Sequence, residues 1–273
     1  MALNKESNGY IIIFSVLLVV ITAISLVLVT GLTSAPYERS VELEKKQNIL
    51  QAANITVERE AAEAEYAKYI TDAFAINPDG EVVEKDASKV FTIDLATELR
   101  KTDLKTMQFP VFVCNKDGKN SYILAMRGKG LWDAIWGYVS VDSDMRTVIG
   151  ASFDHKAETA GLGAEIKEKW YQEKFLGKKI TDDAGNFTSV RVVKKGTATI
   201  DDYTVDGISG GTLTSDGLRE MLYKFFDAFN KYAIANRPQT APEEVAVSDS
   251  LSLAQPDSLM GADSLNLSDT PRN

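Results

Sequence analysis

Residues Asp206 to Thr214 read Asp-Gly-Ile-Ser-Gly-Gly-Thr-Leu-Thr, a turn of glycines and small hydroxyl residues that opens directly onto a helical pattern. Such a turn suits a phosphate. Gly207, Gly210 and Gly211 allow sharp turns and close backbone approach, Thr212, Thr214 and Ser215 supply hydroxyls, and unpaired N–H groups at a helix start attract anions. The helix is marked by Leu218, Met221, Leu222, Phe225, Phe229 and Tyr232, spaced by threes and fours as in an amphipathic helix docked on a core. Spacing alone also admits a plainer role, in which Thr214 or Ser215 simply caps the helix. Other chemistries find little support. His155 is the single histidine and Cys114 the single cysteine, so the chain can form no internal disulfide and cannot hold an iron–sulfur cluster with its own thiolates, a lone histidine makes a poor metal site, and no Ser/His/Asp constellation stands out. Cys114 lies in a strand-like run and reads as buried, His155 as a surface or hydrogen-bonded residue. Gly128-Lys129-Gly130 has Asp133, and Gly161-Leu162-Gly163 has Ile166, where a nicotinamide fingerprint needs its third glycine.

The elements that must position this turn follow from hydropathy and turn signals. No charge occurs between Glu6 and Glu38, and Tyr10 to Leu32 is almost wholly apolar, enough for the roughly 20 residues that cross a bilayer as a helix. A cleaved signal peptide is the rival, with small residues at Thr33, Ser34 and Ala35. Lys5 alone precedes the span, whereas Arg39, Lys45 and Lys46 follow it, so charge does not set the orientation. The expected organisation is a short segment 1–9, a transmembrane helix 10–32, a helical stalk 33–76, a globular domain 77–236 and a disordered acidic tail 237–273. In the stalk, Glu38 to Asn54 continues the membrane helix and Val57 to Ala75 carries on in the same style until the Asn77-Pro78-Asp79-Gly80 turn.

Beyond that turn, Val111–Cys114 and Tyr122–Met126 form a hairpin about Lys116-Asp117-Gly118, and Ile135–Val141 and Val148–Phe153 form a second about Asp142-Ser143-Asp144. Glu165 to Phe175 reads as a short helix and Val190 to Val193 as a buried strand leading to Lys194. The fold class is therefore α+β, a largely antiparallel sheet with flanking helices, preceded by one transmembrane helix. The formal charge of −9 and the lack of a basic face argue against nucleic acid. From Arg237 onward the net charge is −4, with Asp-Ser-Leu recurring at Asp249, Asp257 and Asp263 among prolines and serines, a composition of disorder or of partner docking.

Asp206 to Thr214 resembles the flavinylation segment of covalent FMN-binding domains, Asp-x-x-Ser/Thr-Gly-Ala-Thr-x-Thr, with Gly211 in place of the alanine. Two further segments, Gly130-Leu131-Trp132 and Glu158-Thr159-Ala160-Gly161-Leu162-Gly163, the latter with Ala160 for a usual proline, extend the likeness. With the membrane span and Lys46-Gln47-Asn48-Ile49-Leu50-Gln51, they resemble the C-subunit family of Na+-translocating NADH:quinone oxidoreductases over most of Met1 to Ala235.

That resemblance implies FMN bound covalently through a phosphoester to Thr212. Thr214 and the amides of Ser209, Gly210 and Gly211 would donate to the phosphate, and Lys194 would add charge. Asp206 would organise the turn or be read by the flavin transferase. Glu158 and Thr159 would bond the ribityl chain or ring edge, while Leu131, Trp132 and Leu162, with Gly163 beside them, would form an apolar wall; for Trp132, core packing is the alternative.

The resemblance further implies an extracytoplasmic electron-relay subunit in the bacterial inner membrane, partnered by lipid and by the other subunits of a complex that passes electrons from NADH to quinone and exports Na+. The G subunit of an Rnf-type ferredoxin-linked complex, a membrane-tethered binding module without cofactor and a stand-alone extracytoplasmic flavin reductase remain as alternatives.

Overall fold

The computed structural model describes residues 7–196 and 200–237; the acidic tail with its Asp-Ser-Leu repeats lies outside the described residues. Helix α1 (Asn8–Ala52) runs through the apolar segment and on through Pro36 into the charged stretch. Its residues 11–36 are exposed all round, with apolar side chains on every face, whereas a helix of a soluble domain buries one stripe. It is long and apolar enough to cross a membrane. At its far end Ile49, Leu50 and Ala52 are buried in the globular body.

After α2 (Ala62–Tyr69) the chain enters strand β1 (Ile70–Ile76). The helical stalk expected as far as residue 76 is corrected here. Phe74 and Ile76 face one core, Ala73 and Ala75 the other, so both faces of β1 are apolar and the period of two is hidden from the sequence. Strand β2 (Val82–Glu84), short helices α3 (Ala87–Thr92) and α4 (Leu95–Glu98), and strands β3 (Phe109–Lys116), β4 (Lys119–Lys129), β5 (Ala134–Val141) and β6 (Val148–His155) follow. The six strands form one antiparallel sheet in the order β2-β1-β3-β4-β5-β6. The two expected hairpins are β3–β4 and β5–β6; Asp117 and Gly118 both take positive φ in the first turn, as a two-residue hairpin with the sheet's twist requires.

The region Glu165 to Phe175 is not one helix but a 3₁₀ turn over Gly163–Lys167, helix α5 (Lys169–Gln172) and a second 3₁₀ turn over Glu173–Phe175. Ile166, Tyr171 and Phe175 anchor it in the core. Strand β7 (Arg191–Val193) pairs in parallel with β8 (Thr204–Asp206), and helix α6 (Thr212–Asn236) closes the domain. The sheet is covered on both faces. Leu218, Met221, Leu222, Phe225 and Phe229 of α6 pack with Phe109, Val111, Leu124 and Met126, while the end of α1 packs with Phe112, Cys114, Ile123 and Tyr138. Cys114 is buried, as expected. Helix α6 meets β4 almost backbone to backbone: a Cβ on Gly217 would lie 1.9 Å from the Lys129 carbonyl oxygen.

Candidate functional site

The glycine turn is tied down on three sides. Gly207 N–H donates to the Val193 carbonyl (2.7 Å), Ile208 N–H donates to the buried Ser215 hydroxyl oxygen (2.9 Å), and Gly211 N–H donates to the Ile208 carbonyl (3.0 Å). Gly210 takes φ +75°, which favours glycine. Gly211 is the N-cap of α6 and no side chain caps the helix, so neither Thr214 nor Ser215 plays that part. The first intrahelical bond is Ser215 N–H to the Gly211 carbonyl (2.9 Å). The N–H groups of Thr212, Leu213 and Thr214 therefore precede the helical ladder, at the positive end of a 25-residue helix.

Thr212, the first helical residue, is exposed beside a cavity of about 170 Å³ whose walls include Lys194, Lys195, Gly207, Gly210 and Arg219. Asp216 also lines it and pairs with Arg219 at 2.9 Å. Asp206 does not line it. Its charge instead acts on Tyr171, whose hydroxyl is pushed up first by burial and then by that carboxylate. A helix start, three cationic side chains and an exposed hydroxyl form a donor set that fits a phosphate ester.

Glu158 joins the three sequence motifs. Its Oε1 accepts from Trp132 N–H (2.9 Å) and its Oε2 from the Thr214 hydroxyl (2.5 Å), while its own N–H donates to His155 Nδ1 (3.2 Å). Two motif glycines make room for this carboxylate. A Cβ on Gly130 would come within 2.5 Å of Oε1, and one on Gly163 within 2.5 Å of Oε2 and 2.3 Å of Thr214 Oγ1. Burial alone would raise the Glu158 carboxyl, but the Thr214 hydroxyl and the N–H groups of Trp132, Asp133 and Leu131 together hold it below the usual range.

Three expectations change: the Gly211 N–H, expected to donate to a phosphate, is spent on the Ile208 carbonyl, and Glu158 and Thr214 take other parts. Glu158 is buried and already bonded, so it is a clamp beneath the site rather than a partner for a ribityl chain. Thr214 is buried and its one hydroxyl proton goes to Glu158, so it cannot donate to a phosphate through that hydroxyl.

Above the clamp lies an apolar rim. Leu131 (46% exposed), Trp132 (66%), Leu162 (40%) and Leu213 (60%) reach the surface, which sets aside core packing as the role of Trp132. The exposed Thr159 hydroxyl oxygen accepts from Trp132 Nε1 (3.2 Å) and so orients the indole. Leu162 lies against the turn, its Cδ2 2.6 Å from where a Gly210 Cβ would stand. Ser209, Gly210, Gly211, Thr212, Leu162, Gly163, Glu158, Thr159 and the Leu131-Trp132 pair thus converge, with Lys194 on the cavity wall.

Sequence reasoning missed Lys195 and Arg219, which line the cavity, His155 as the acceptor for Glu158, and Ser215 as the lock on Ile208. Arg219 was detectable in principle, seven residues or two helical turns after Thr212.

Known proteins share this arrangement of elements. The FMN-binding domain family matches residues 130–226, from the Gly-Leu-Trp segment into α6. The C subunit of the Na+-translocating NADH-quinone reductase of Haemophilus ducreyi is 32% identical over 228 residues, covering 79% of this chain and 88% of that protein. Its Yersinia pestis counterpart is 29% identical over 242 residues, with 79% and 87% covered. The crystal structure of the same reductase's C subunit from Parabacteroides distasonis is 43% identical and superposes with a TM-score of 0.65, covering 72% of this chain and 94% of that one.

Proposed function

The chain belongs to the C-subunit family of Na+-translocating NADH-quinone reductases, and on that premise we propose that it is the one-electron carrier of such a complex, with FMN esterified to Thr212. The observation that carries this reading is an exposed threonine hydroxyl at the first residue of α6, beside a cationic cavity and an apolar rim. When bound, FMN supplies a ring that takes up and releases electrons singly or in pairs.

The chain's own residues attach and orient it. A flavin transferase using FAD would form the Thr212 Oγ–phosphorus bond as the pyrophosphate bond breaks, with AMP leaving and the hydroxyl proton released. The amides of Thr212 to Thr214 and the side chains of Lys194, Lys195 and Arg219 hold the remaining phosphate charge. Leu131, Trp132 and Leu162 shield one side of the ring, Thr159 fixes the indole, and Glu158 fixes the loop and helix start beneath. Asp206, off the phosphate cavity, organises the turn or is read by the transferase. The electron relay itself needs no general base from this chain.

NADH oxidation and Na+ export belong to the complex as a whole. α1 anchors the chain in the lipid of the bacterial inner membrane, with the domain on the extracytoplasmic side. Peptide mass spectrometry of chain expressed with a flavin transferase tests the attachment: one FMN is expected on the peptide holding Thr212 and none in Thr212→Ala. Covalent FMN surviving that substitution would refute the assignment.

A further inference from the structure

A second cleft, of about 600 Å³, opens beside the rim on a different stripe of α6. Thr212, Ser215, Asp216 and Arg219 line the phosphate cavity, whereas Gly217, Glu220, Met221 and Lys224, spaced i, i+3, i+4, i+7, line this one. Arg100, Arg127, Lys129 and Lys224 line it together with the apolar Leu99 and Met221 and with Trp132. Among the described residues, none of the four cations has a carboxylate within 4.0 Å, although the whole chain carries −9. The cleft's own acids are two against four cations: Asp133, which pairs with Lys156 at 2.9 Å and also feels the Arg127 charge, and Glu220. Lys224 is held below its ordinary range by burial, with no anion to offset it.

We infer that this cleft docks an acidic surface segment of a partner subunit, bringing that partner's electron carrier to the Trp132 edge of the rim. The inference rests on the proposed function. Four cations drawn from separate elements and sharing one cleft with Leu99, Met221 and Trp132 match a protein segment that presents carboxylates and apolar side chains together, more than a single phosphate group. Complementary charge of this kind speeds encounter and sets orientation, so it acts on rate and is screened by salt.

The test uses the intact complex carrying R100E, K129E and K224E together; Arg127, whose guanidinium lies 6.0 Å over the Trp136 ring, is left alone. Stopped-flow reduction of the bound FMN by NADH should slow about tenfold at low salt, and its dependence on ionic strength should flatten. Covalent FMN, measured after denaturation, should be unchanged. In the wild-type complex, zero-length carbodiimide coupling should join Lys129 or Lys224 to a carboxylate of another subunit. A normal rate with normal salt dependence, or cross-links confined to this chain, overturns the inference. So does a slowing seen only in nanodiscs of anionic lipid, which would assign the cleft to lipid headgroups. A wild-type chain without covalent FMN would instead refute the Thr212 reading, and cross-linking, which needs no flavin, would still decide the docking.

Discussion

Replacing Thr214 by valine removes one oxygen while keeping a β-branched shape at the third helical position, so the helix start is little disturbed. In the wild type that oxygen donates to Glu158 Oε2 at 2.5 Å, and the two residues are only 1% and 7% exposed. After the substitution Oε2 loses its hydroxyl donor at a place where water has little access, while Oε1 keeps Trp132 N–H. A hydrogen bond to a charged group contributes about 1.5–3 kcal/mol, so a loss of roughly 2 kcal/mol in unfolding free energy is expected.

The pH dependence should move as well. The lowered Glu158 carboxyl contributes stability that is present above its unfolded value of 4.5 and is lost as pH falls through the folded value. Without the Thr214 donor the folded value rises, and that loss sets in at higher pH. Urea denaturation of the full chain in detergent, followed by tryptophan fluorescence at pH 7 and pH 4, reads both effects. A cycle with Glu158→Gln should show a coupling of about 1–2 kcal/mol. Covalent FMN at Thr212 should persist. A stability change below about 0.5 kcal/mol, or loss of FMN with stability intact, would mean that the Thr214 hydroxyl serves the phosphate and that the clamp reading is wrong.

Gly217→Ala sets two effects against each other. Helix propensity favours alanine by about 1 kcal/mol, but the new methyl would meet the Lys129 carbonyl oxygen at 1.9 Å, backbone that cannot rotate away; a net loss of about 2 kcal/mol is expected by thermal denaturation, and a gain would refute the close packing of α6 on β4. Lys45 tests a different part of the fold. Burial, partly opposed by Asp94, pushes its ammonium down to about 8 from 10.5. The cost of that buried charge is therefore full below about pH 8 and is relieved as pH rises toward 10.5, where the unfolded chain still holds the proton. Lys45→Met should be more stable than wild type at pH 7 by about 1–3 kcal/mol, an advantage that shrinks by pH 10; an equal gap at both pH values would refute the shift.

Local patterns carried much of this protein into view before its fold was known. The apolar run to Leu32, the Asp117-Gly118 hairpin, the amphipathic face of α6 and the glycine turn before it are each specified within a few turns of chain, because backbone conformation and one-sided burial leave a periodic trace in neighbouring residues. Strand β1 left no such trace, since the sheet is covered on both faces and alternation vanishes when both sides are apolar. The site divides along the same line. Thr212 and its glycines are contiguous in sequence, so the turn that gathers them at the start of α6 was legible there.

The Glu158 clamp was not legible, because its partners Trp132 and Thr214 lie 26 and 56 residues away and meet it only when the loop before β5 and the start of α6 pack together. Whether a hydroxyl donates to a phosphate or to a buried carboxylate depends on what stands within 3 Å of it in space. The same holds for the four cations lining the second cleft, which come from the turn after α4, from β4 and from α6 and acquire a common field only because those elements pack side by side.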